Sequence, residues 1–338
     1  MDSLSEKRLD EIIRHSEGKR ILIVGDLMID RYLWGNVTRI SPEAPVPIIN
    51  IEDEEIRFGG AANVANNIIG LNAEPILVGT VGADYWGEVF RNMLREKNLV
   101  ADGLIQDERR PTTIKTRIIG NNQHIARVDR ERIVPIETRT EKRILDFVKS
   151  IISEVDAIIL EDYNKGVLIP SLVAEIIRLG NENNLVITVD PKFENFLSYQ
   201  KVTLFKPNKK ETEEALATRL GTEEEIRLAG KLLLQKLEAK SVLITLGEKG
   251  MALFQDDGEV FFTGTRARKV ADVSGAGDTV IATVTYALCG GASFKEAIFI
   301  ANFAAGVVCG EVGVVPIQIE RLKETINRGT VLGDVVMD

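Results

Sequence analysis

Short runs of consecutive apolar, mostly β-branched residues recur along the chain and constrain its fold more than any other feature. Examples are residues 21–24, 157–160 and 186–189. Runs of this length without polar alternation are typical of strands that are buried on both faces. Longer helical patterns, such as residues 61–70 and 223–237, lie between the runs. These strand–helix–strand repeats predict a mainly parallel sheet with helices on both faces, which is a three-layer α/β/α sandwich.

Two stretches depart from this rhythm, from about residue 31 to 58 and from about residue 112 to 129. Both combine alternating polar positions with turn-forming residues, which favours short extended strands over further strand–helix units. We therefore expect a small β-rich lid that projects from the main sheet. The chain shows no flexible linker or low-complexity tract. Residues 1–330 are accordingly predicted to form a single domain, and residues 331–338 a C-terminal tail.

Composition narrows the function classes. The chain has 338 residues, of which 44% are hydrophobic, and a formal net charge of −9. Nucleic acid is not an expected partner, because phosphate-backbone binding usually needs a basic face. Only 2 histidines and 2 cysteines are present, which argues against catalytic triads, multi-histidine metal sites and a disulfide framework. The sequence shows neither a secretory signal nor an apolar stretch long enough to span a bilayer, so a cytoplasmic protein without a membrane partner is expected.

The most informative motif is the glycine-rich turn Gly275-Ala276-Gly277-Asp278, which is followed at once by an apolar helical pattern. Small residues let the backbone approach a ligand closely, and the first N–H groups of a helix attract an anion. A carboxylate at Asp278 would lie at the edge of such an anion site, where it can accept a proton from an attacking hydroxyl group. An ordinary glycine turn with an acid in the first helical turn would explain the same residues, so the motif alone does not decide.

A second group of candidates follows the first buried run and the first lid segment. Asp26 and Asp30 come after that run, where ligands of open α/β sheets bind and where carboxylates can accept hydrogen bonds from sugar hydroxyls. Gly59 and Gly60 precede Asn63 at the start of a predicted helix. The glycines would let the backbone come close to a ligand, and the side-chain amide of Asn63 could form hydrogen bonds with it. Loop solvation, helix capping or a simple helix start are the open alternatives.

Charged residues also follow two later strands. Asp162 and Lys165 lie in the segment after one predicted buried strand, and Lys192 lies after the next. The carboxyl ends of parallel strands share one edge of a sheet, so these lysines are expected on the same rim. Cations there would neutralise a phosphate in a chain that is acidic overall. The alternative for each lysine is a solvated surface charge.

Two further polar segments follow predicted strands: Asn208-Lys209-Lys210-Glu211, and Thr245 with Gly247 and Gly250. The first segment offers oxygens for Mg²⁺, through water, because this ion keeps much of its hydration. The second is a glycine turn that suits a nucleotide. A helix capping box made by Asn208 and Glu211, and a plain β-turn, are the alternatives. The chain contains no P-loop motif, and the turn at residues 275–277 lacks the third glycine of a dinucleotide-binding fingerprint.

In this order and spacing, these segments resemble the ribokinase or phosphofructokinase-B superfamily across nearly the whole chain. The two glycine motifs at residues 59–63 and 272–278 carry that resemblance. Residues 25–32, 39–47 and 162–166 are similar, more narrowly, to the D-glycero-β-D-manno-heptose 7-phosphate kinases. The resemblance implies a ribokinase-like fold and transfer of the ATP γ-phosphoryl group to the anomeric hydroxyl. The product would be heptose 1,7-bisphosphate, for the ADP-heptose of lipopolysaccharide cores.

The resemblance also implies roles for individual residues. Asp278 would be the catalytic base, and the amides of Gly275, Ala276 and Gly277 would form the anion hole. The sugar pocket would include Asp26, Asp30, Gly59, Gly60, Asn63 and Asp162. ATP and Mg²⁺ would bind around Asn208, Lys209, Lys210, Glu211, Thr245, Gly247, Gly250 and Asn302. Asp272 and Ser274 match a loop near a monovalent cation site, so K⁺ is a further candidate, although Ser274 stands where many members have threonine. Lys165, Lys192 and Arg127 are the candidate cations for the sugar phosphate, with Lys165 favoured. A homodimer formed through the lid is also expected.

Other functions remain open from the sequence. The same fold could phosphorylate another sugar or sugar phosphate, such as a fructose phosphate, ribose or a nucleoside. A non-catalytic sugar-binding protein is a second alternative, against which the presence of Asp278 and both glycine turns argues. An oxidoreductase is the weakest alternative. Many bacterial heptose kinases carry a fused nucleotidyltransferase, for which this chain has no room before Asp338, so adenylylation is expected to need another protein.

Overall fold

The computed structural model describes residues 4–121, 123–266, 272–311 and 313–332. The predicted C-terminal tail at residues 331–338 lies outside the described residues from residue 333 onward. The helices are α1 (Glu6–Ser16), α2 (Ala61–Gly70), α3 (Tyr85–Glu96), α4 (Thr138–Ile151), α5 (Pro170–Glu182), α6 (Lys209–Leu216), α7 (Glu223–Leu237), α8 (Ala276–Cys289), α9 (Phe294–Val308) and α10 (Ile319–Leu332). None of these helices combines the length and the apolar character needed to cross a bilayer.

The strands fall into two sheets. They are β1 (Arg20–Gly25), β2 (Leu27–Ile40), β3 (Pro47–Gly60), β4 (Glu74–Gly82), β5 (Leu104–Asp107), β6 (Thr113–Gly120), β7 (Gln123–Arg130), β8 (Ala157–Glu161), β9 (Val186–Asp190), β10 (Leu204–Phe205), β11 (Ser241–Thr245), β12 (Met251–Gln255) and β13 (Val260–Thr263). Among the described residues, the central sheet has nine strands in the order β13-β12-β11-β10-β9-β8-β1-β4-β5, and a smaller sheet has the order β3-β2-β6-β7.

The central sheet is parallel from β11 to β5, as the continuous apolar runs predict. Successive side chains of a strand point to opposite faces, and β1 shows the consequence. Ile21 and Ile23 pack in one hydrophobic core with α2, α8 and α9, whereas Leu22 and Val24 pack in the other core with α4, α5 and α7. The predicted three-layer α/β/α class is therefore confirmed.

Some details differ from the sequence-based expectation. The antiparallel strands β12 and β13 at one edge of the sheet were not predicted. The strand β10 is only two residues long. The helix α3 begins at Tyr85, because the side chain of Asp84 caps it by accepting a hydrogen bond from the N–H of Gly87.

The small sheet forms the lid. Its long hairpin, β2 and β3, begins inside the main body, where Met28 and Ile29 are buried, and extends into solvent. β6 pairs with β2 in parallel and β7 pairs with β6 in antiparallel orientation. Every residue of β7 is exposed. The lid therefore arises from the two segments that depart from the strand–helix rhythm, and its base adjoins the carboxyl end of β1.

Candidate active site

The N-terminus of α8 forms one wall of the site. Its N-cap, Gly275, has a φ of 78°, a left-handed conformation that glycine adopts without steric cost. A Cβ atom here would lie 2.9 Å from Nδ2 of Asn63, so a larger residue would push α2 away from α8. The N–H of Ala276 donates to the carbonyl oxygen of Val273 at 3.2 Å. In this conformation the N–H of Ala276 is therefore used within the turn, and the predicted anion hole would rest on the N–H groups of Gly275 and Gly277.

Asp278 lies in the first turn of α8 and is 5% exposed. Nδ2 of Asn63 donates to its Oδ2 at 2.7 Å, and the hydroxyl of Tyr163 donates to its Oδ1 at 2.7 Å. Burial raises the pKa of Asp278 to about 6, and the two hydrogen bonds oppose part of that rise. A carboxylate with a pKa closer to neutrality is a stronger base than an exposed aspartate, and it can accept a proton from a substrate hydroxyl group.

Asn63 reaches Asp278 from α2. The residue is 1% exposed, and its Oδ1 has no hydrogen-bond partner among the described residues. One turn later, Asn67 holds α2 against α8 by accepting a hydrogen bond of 2.9 Å from the Thr279 hydroxyl. A buried amide oxygen without a donor costs free energy, so Oδ1 of Asn63 is a candidate acceptor for a ligand hydroxyl. The structure thus brings the two predicted glycine motifs together.

Asp26 holds the loop that carries Tyr163. Its carboxylate accepts hydrogen bonds from the backbone N–H groups of Tyr163 at 2.9 Å, Lys165 at 3.0 Å and Val167 at 3.1 Å. The residue is 1% exposed, and burial raises its pKa to about 6. Sequence reasoning predicted a sugar-pocket contact for Asp26. That contact stays a prediction; in this conformation both oxygens accept hydrogen bonds from backbone amides, and the residue positions the loop.

Asp162 also accepts hydrogen bonds from other parts of the chain. Its Oδ2 accepts a hydrogen bond of 2.6 Å from the hydroxyl of Tyr199, and its Oδ1 accepts one of 2.8 Å from the N–H of Asn164. With 1% exposure it is enclosed by the protein. The substrate contact predicted from its place after β8 stays a prediction; in this conformation Asp162 holds the segments of Tyr199 and Asn164 together.

Further buried carboxylates lie beside Asp278. One oxygen each of Glu161, Asp190 and Asp278 lies within 4.8 Å of the others. Glu161 is fully buried, and neither of its carboxylate oxygens has a hydrogen-bond partner among the described residues. Burial, followed by the charges of Asp190 and Asp278, raises the pKa of Glu161 well above its ordinary value. Asp190 is paired with Nζ of Lys206 at 2.8 Å. Such a cluster can hold a proton or a cation.

The predicted Mg²⁺ motif forms a helix cap. Asn208 is the N-cap of α6: its Oδ1 accepts from the N–H of Glu211 at 2.9 Å, and Oε2 of Glu211 accepts from the N–H of Asn208 at 2.8 Å. The other Glu211 oxygen is paired with Nζ of Lys192. The capping box that the sequence left as an alternative is therefore present. The predicted contact of Asn208 and Glu211 with Mg²⁺ through water stays a prediction. Lys209 and Lys210 form ion pairs of 3.7 Å along α6.

A cavity of about 490 Å³ opens beside the glycine-rich turn at residues 275–277. Its lining includes the predicted nucleotide residues Thr245, Gly247, Gly250 and Asn302, and also Gly277. Its size lies within the range of small-molecule sites, about 300–1,000 Å³. These four predicted nucleotide residues thus share one cavity that reaches the first turn of α8, whereas the predicted residues 208–211 do not line it.

Two contacts shape this cavity. Gly250 has a φ of 89°, and a Cβ atom there would meet the carbonyl oxygen of Thr263 at 1.9 Å, so only glycine fits the turn. Nδ2 of Asn302 donates to the carbonyl oxygen of Gly264 at 2.7 Å. Asn302 therefore fixes the end of β13 against α9 and lines the cavity at the same time.

The base of the lid borders the other side of the site. Asp30 is 5% exposed and accepts a hydrogen bond from Arg117. A Cβ atom at Gly59 would lie 2.4 Å from Oδ2 of Asp30, and one at Gly60, whose φ is 58°, would lie 2.4 Å from the carbonyl oxygen of Asp26. Both glycines are therefore required by close packing around the predicted sugar pocket.

The predicted phosphate cations have different surroundings. Nζ of Lys165 is paired with Oε1 of Glu131 at 2.9 Å. Arg127 lies on the lid with its side chain 57% exposed, and it is paired with Asp129 at 3.0 Å. Lys192 instead lies over the ring of Tyr163, 5.3 Å from its centroid. Lys165 and Arg127 thus lie on the lid side of the site, and Lys192 lies near Tyr163 and Asp278.

Asp272 connects two loops next to α8. Its Oδ1 accepts from the N–H of Ser274 at 2.9 Å, and its Oδ2 accepts from the N–H of Gly313 at 3.1 Å. The predicted monovalent cation site at Asp272 and Ser274 stays a prediction.

Sequence reasoning missed several residues of the site: Tyr163, Glu161, Asp190, Lys206 and Arg117. Glu161 ends β8, Asp190 ends β9 and Lys206 follows β10, so their shared edge of the sheet was the available signal. Which of the residues at that edge would meet Asp278 depends on side-chain directions, which strand spacing does not give.

Known proteins are similar to this chain over most of its length. Residues 19–320 match the pfkB family carbohydrate kinase description. The chain is 43% identical over 310 residues to the bifunctional protein HldE of Helicobacter pylori (strain G27), covering 92% of this chain and 67% of that protein. It is 39% identical over 310 residues to the bifunctional protein HldE of Geobacter sulfurreducens, covering 92% of this chain and 63% of that protein. The chain thus spans about two thirds of the length of these curated relatives.

Solved structures agree with the fold. Phosphofructokinase-2 from Escherichia coli in complex with potassium gives a TM-score of 0.76 at 17% identity, covering 93% of this chain and 99% of that chain. Arabidopsis thaliana ribokinase complexed with ribose and ATP gives a TM-score of 0.71 at 18% identity, with the same coverage. These two likenesses show the ribokinase-like fold alone. Together with the match over residues 19–320, the sequence identity to the curated relatives shows that the chain belongs to the pfkB family and is a carbohydrate kinase.

Proposed function

We propose that this kinase transfers the γ-phosphoryl group of ATP to the anomeric O1 of D-glycero-β-D-manno-heptose 7-phosphate, giving heptose 1,7-bisphosphate for ADP-heptose synthesis. The observation that carries the proposal is the buried Asp278, held by Asn63 and Tyr163 between the cavity of about 490 Å³ and the base of the lid. The similarity of residues 25–32 and 162–166 to heptose 7-phosphate kinases supports the choice of acceptor, as do the relatives named HldE.

The chemistry follows from this arrangement. Asp278 accepts the proton of the sugar O1 hydroxyl as O1 attacks the γ-phosphorus. A bond forms between O1 and phosphorus, the bond between the γ-phosphorus and the β–γ bridging oxygen breaks, and ADP leaves with that electron pair. The amide of Gly277 and the N-terminal dipole of α8 stabilise the charge on the transferring group. The oxygen of Asn63 that lacks a partner would orient a sugar hydroxyl.

Glu161 is a further candidate ligand for Mg²⁺ beside the predicted Asn208 and Glu211. Both oxygens of Glu161 are buried and lack hydrogen-bond partners among the described residues, whereas those of Glu211 are used by the α6 cap and Lys192. Mg²⁺ binds one or two carboxylates and keeps several waters. When bound, the ion would neutralise phosphate charge. K⁺ near Asp272 remains a prediction from the resemblance, and no step of the proposal depends on it.

The lid would close over the sugar and exclude water, which would otherwise compete as phosphoryl acceptor. A homodimer formed through the lid is part of the proposal. Large apolar side chains are exposed on the lid strands and their connection, with Ile40 at 60%, Val46 at 51% and Val128 at 56%. In such a dimer the partner's lid would cover these side chains.

An acceptor panel tests the proposed function. ADP release is measured with heptose 7-phosphate, unphosphorylated heptose, fructose 6-phosphate and ribose, and the position of the new phosphate is determined by NMR. We expect the highest kcat/KM with heptose 7-phosphate and phosphate at O1. A higher kcat/KM with a fructose phosphate would assign the other sugar-phosphate function. No ADP release with any sugar above the Asp278→Asn background would contradict the proposal.

A further inference from the structure

Two arginines lie directly opposite each other on the lid. Arg117 of β6 and Arg127 of β7 are partners in the antiparallel register, so their side chains leave the same face of the sheet. Like charges at directly opposed positions destabilise a sheet. Binding of an anion between the two guanidinium groups would remove this repulsion.

This face of the lid is continuous with the wall that carries the catalytic base. Arg117 donates to Asp30 in the predicted sugar pocket. Arg57, which is the register partner of Asp30 on β3, donates to the carbonyl oxygen of Val314 at 3.1 Å. A Cβ atom added to Gly275 would lie 3.2 Å from Cγ1 of the same Val314. The arginine pair therefore belongs to a surface that borders the turn before Asp278.

Both arginines keep N–H groups for a ligand. The bond to Asp30 uses Nη1 of Arg117. The bonds to Asp129 use Nε and Nη2 of Arg127, at 3.0 Å each. A guanidinium group has five N–H donors in a planar fork that matches phosphate. The plane of Arg117 is also supported by Tyr32, whose ring centroid lies 5.2 Å away.

The predicted lysines suit this role less well. Nζ of Lys165 is paired with Glu131, and this nitrogen carries all the N–H donors of the lysine side chain. Lys192 is paired with Glu211 and lies over the Tyr163 ring. A lysine offers a single ammonium group, whereas two opposed arginines offer two planar guanidinium groups, each of which can donate two hydrogen bonds to one phosphate.

We infer that Arg117 and Arg127 together bind the phosphate group that the acceptor sugar already carries, and so make the enzyme selective for phosphorylated sugars. The inference rests on the proposed function for the identity of the sugar. It adds Arg117, which the sequence did not indicate, and replaces Lys165 as the main phosphate contact. The guanidinium of Arg117 would contact the phosphate while its Nη1 stays on Asp30, so one residue would connect the phosphate to the sugar pocket.

The first test measures anion binding without turnover. Inorganic phosphate is titrated by calorimetry into the full chain saturated with Mg²⁺ and a non-hydrolysable ATP analogue, which fills the nucleotide side. We expect Arg127→Gln to weaken phosphate binding by about 10-fold or more, because charge-assisted hydrogen bonds are lost. Arg117→Lys should weaken it in the same direction while keeping a cation for the buried Asp30, which protects the fold.

The matched control is Arg130→Gln. Arg130 lies on the same strand as Arg127, but its side chain leaves the opposite face of the sheet. Its side chain is 52% exposed, close to the 57% of Arg127. It is paired with Asp84 instead of a residue of the site. We expect this variant to keep wild-type phosphate affinity, so a general change in the charge of β7 is separated from loss of a binding group.

The second test compares KM for the phosphorylated and unphosphorylated forms of the sugar. In Arg127→Gln, KM for the phosphorylated form should rise by about 10- to 100-fold, with KM for the unphosphorylated form and for ATP unchanged. Wild-type phosphate affinity and KM in both Arg127→Gln and Arg117→Lys would overturn the inference while leaving the proposed function intact. Weakened phosphate binding in an enzyme that does not accept heptose 7-phosphate would support the inference and refute the proposed acceptor.

Discussion

The hydroxyl of Tyr163 donates a hydrogen bond of 2.7 Å to Oδ1 of Asp278, which connects the loop after β8 to the first turn of α8. Asp26 holds the backbone of that loop through three N–H groups. Asn63 fixes the second oxygen of Asp278 from α2. The orientation of the base is therefore determined by residues that are distant in sequence.

Tyr163→Phe is expected to alter the titration of the base more than the fold. The hydrogen bond from Tyr163 holds the pKa of Asp278 lower than burial alone would, so its loss should raise that pKa. The acid limb of kcat/KM should move to higher pH, and kcat should fall by about 10-fold because Oδ1 is no longer oriented. A pH–rate profile of both proteins measures this. An unchanged acid limb together with wild-type kcat would show that Tyr163 does not act on the base.

Asp278→Asn is expected to stabilise the protein above about pH 6, where the buried carboxylate is ionised. The folded pKa of about 6 lies above the unfolded value of about 3.9, so the contribution of this group to stability is fully present below about pH 4 and is lost as pH rises through about 6. The asparagine removes that loss, which is of the order of 1–3 kcal/mol.

Urea unfolding at about pH 5 and about pH 7.5 measures the difference. The gain in unfolding free energy of Asp278→Asn over the wild type should be larger at the higher pH. A gain that is equal at both pH values, or larger at the lower one, would contradict the raised pKa. Asp257→Asn, in an exposed turn, is a matched control and should show no such difference.

Asp26→Ala is expected to destabilise the fold and slow catalysis together. The substitution leaves the N–H groups of Tyr163, Lys165 and Val167 without their acceptor. Each unsatisfied buried donor costs about 1–3 kcal/mol, so the free energy of unfolding should fall by about 3 kcal/mol or more. Tyr163 would also lose its fixed position.

Thermal unfolding and kcat at a temperature where the variant is folded measure both effects. A direct role of Asp26 in binding sugar would instead raise KM for the sugar and leave the unfolding temperature nearly unchanged. That outcome would restore the contact expected from the sequence and contradict the positioning role.

The fold was largely predictable from the sequence, because its main signal is local. Continuous apolar runs such as residues 157–160 must be covered on both faces, and this demands a parallel sheet between helices. The antiparallel strands β12 and β13 were not predicted, because short apolar runs joined by a turn are also found in loops.

The site was predictable only in part. Asp278 and Asn63 could be predicted because each follows a glycine motif. Such glycines are visible in the sequence and are required where the backbone has a positive φ, such as the 78° of Gly275, or approaches a neighbour closely. The sequence could not show that backbone amides occupy Asp26, because those amides belong to residues more than a hundred positions away. Nor could it show that Glu161, the last residue of an apolar strand, is buried without partners beside Asp278.

The turnover of Asp278→Asn tests the central claim most directly. Single-turnover phosphoryl transfer is measured with saturating Mg²⁺, ATP and acceptor, alongside ATP affinity and unfolding. The account predicts a rate lower by about 100-fold or more, the scale of a lost general base, with ATP affinity close to that of the wild type. A folded variant that transfers phosphate at nearly the wild-type rate would contradict the assignment of Asp278 as the base.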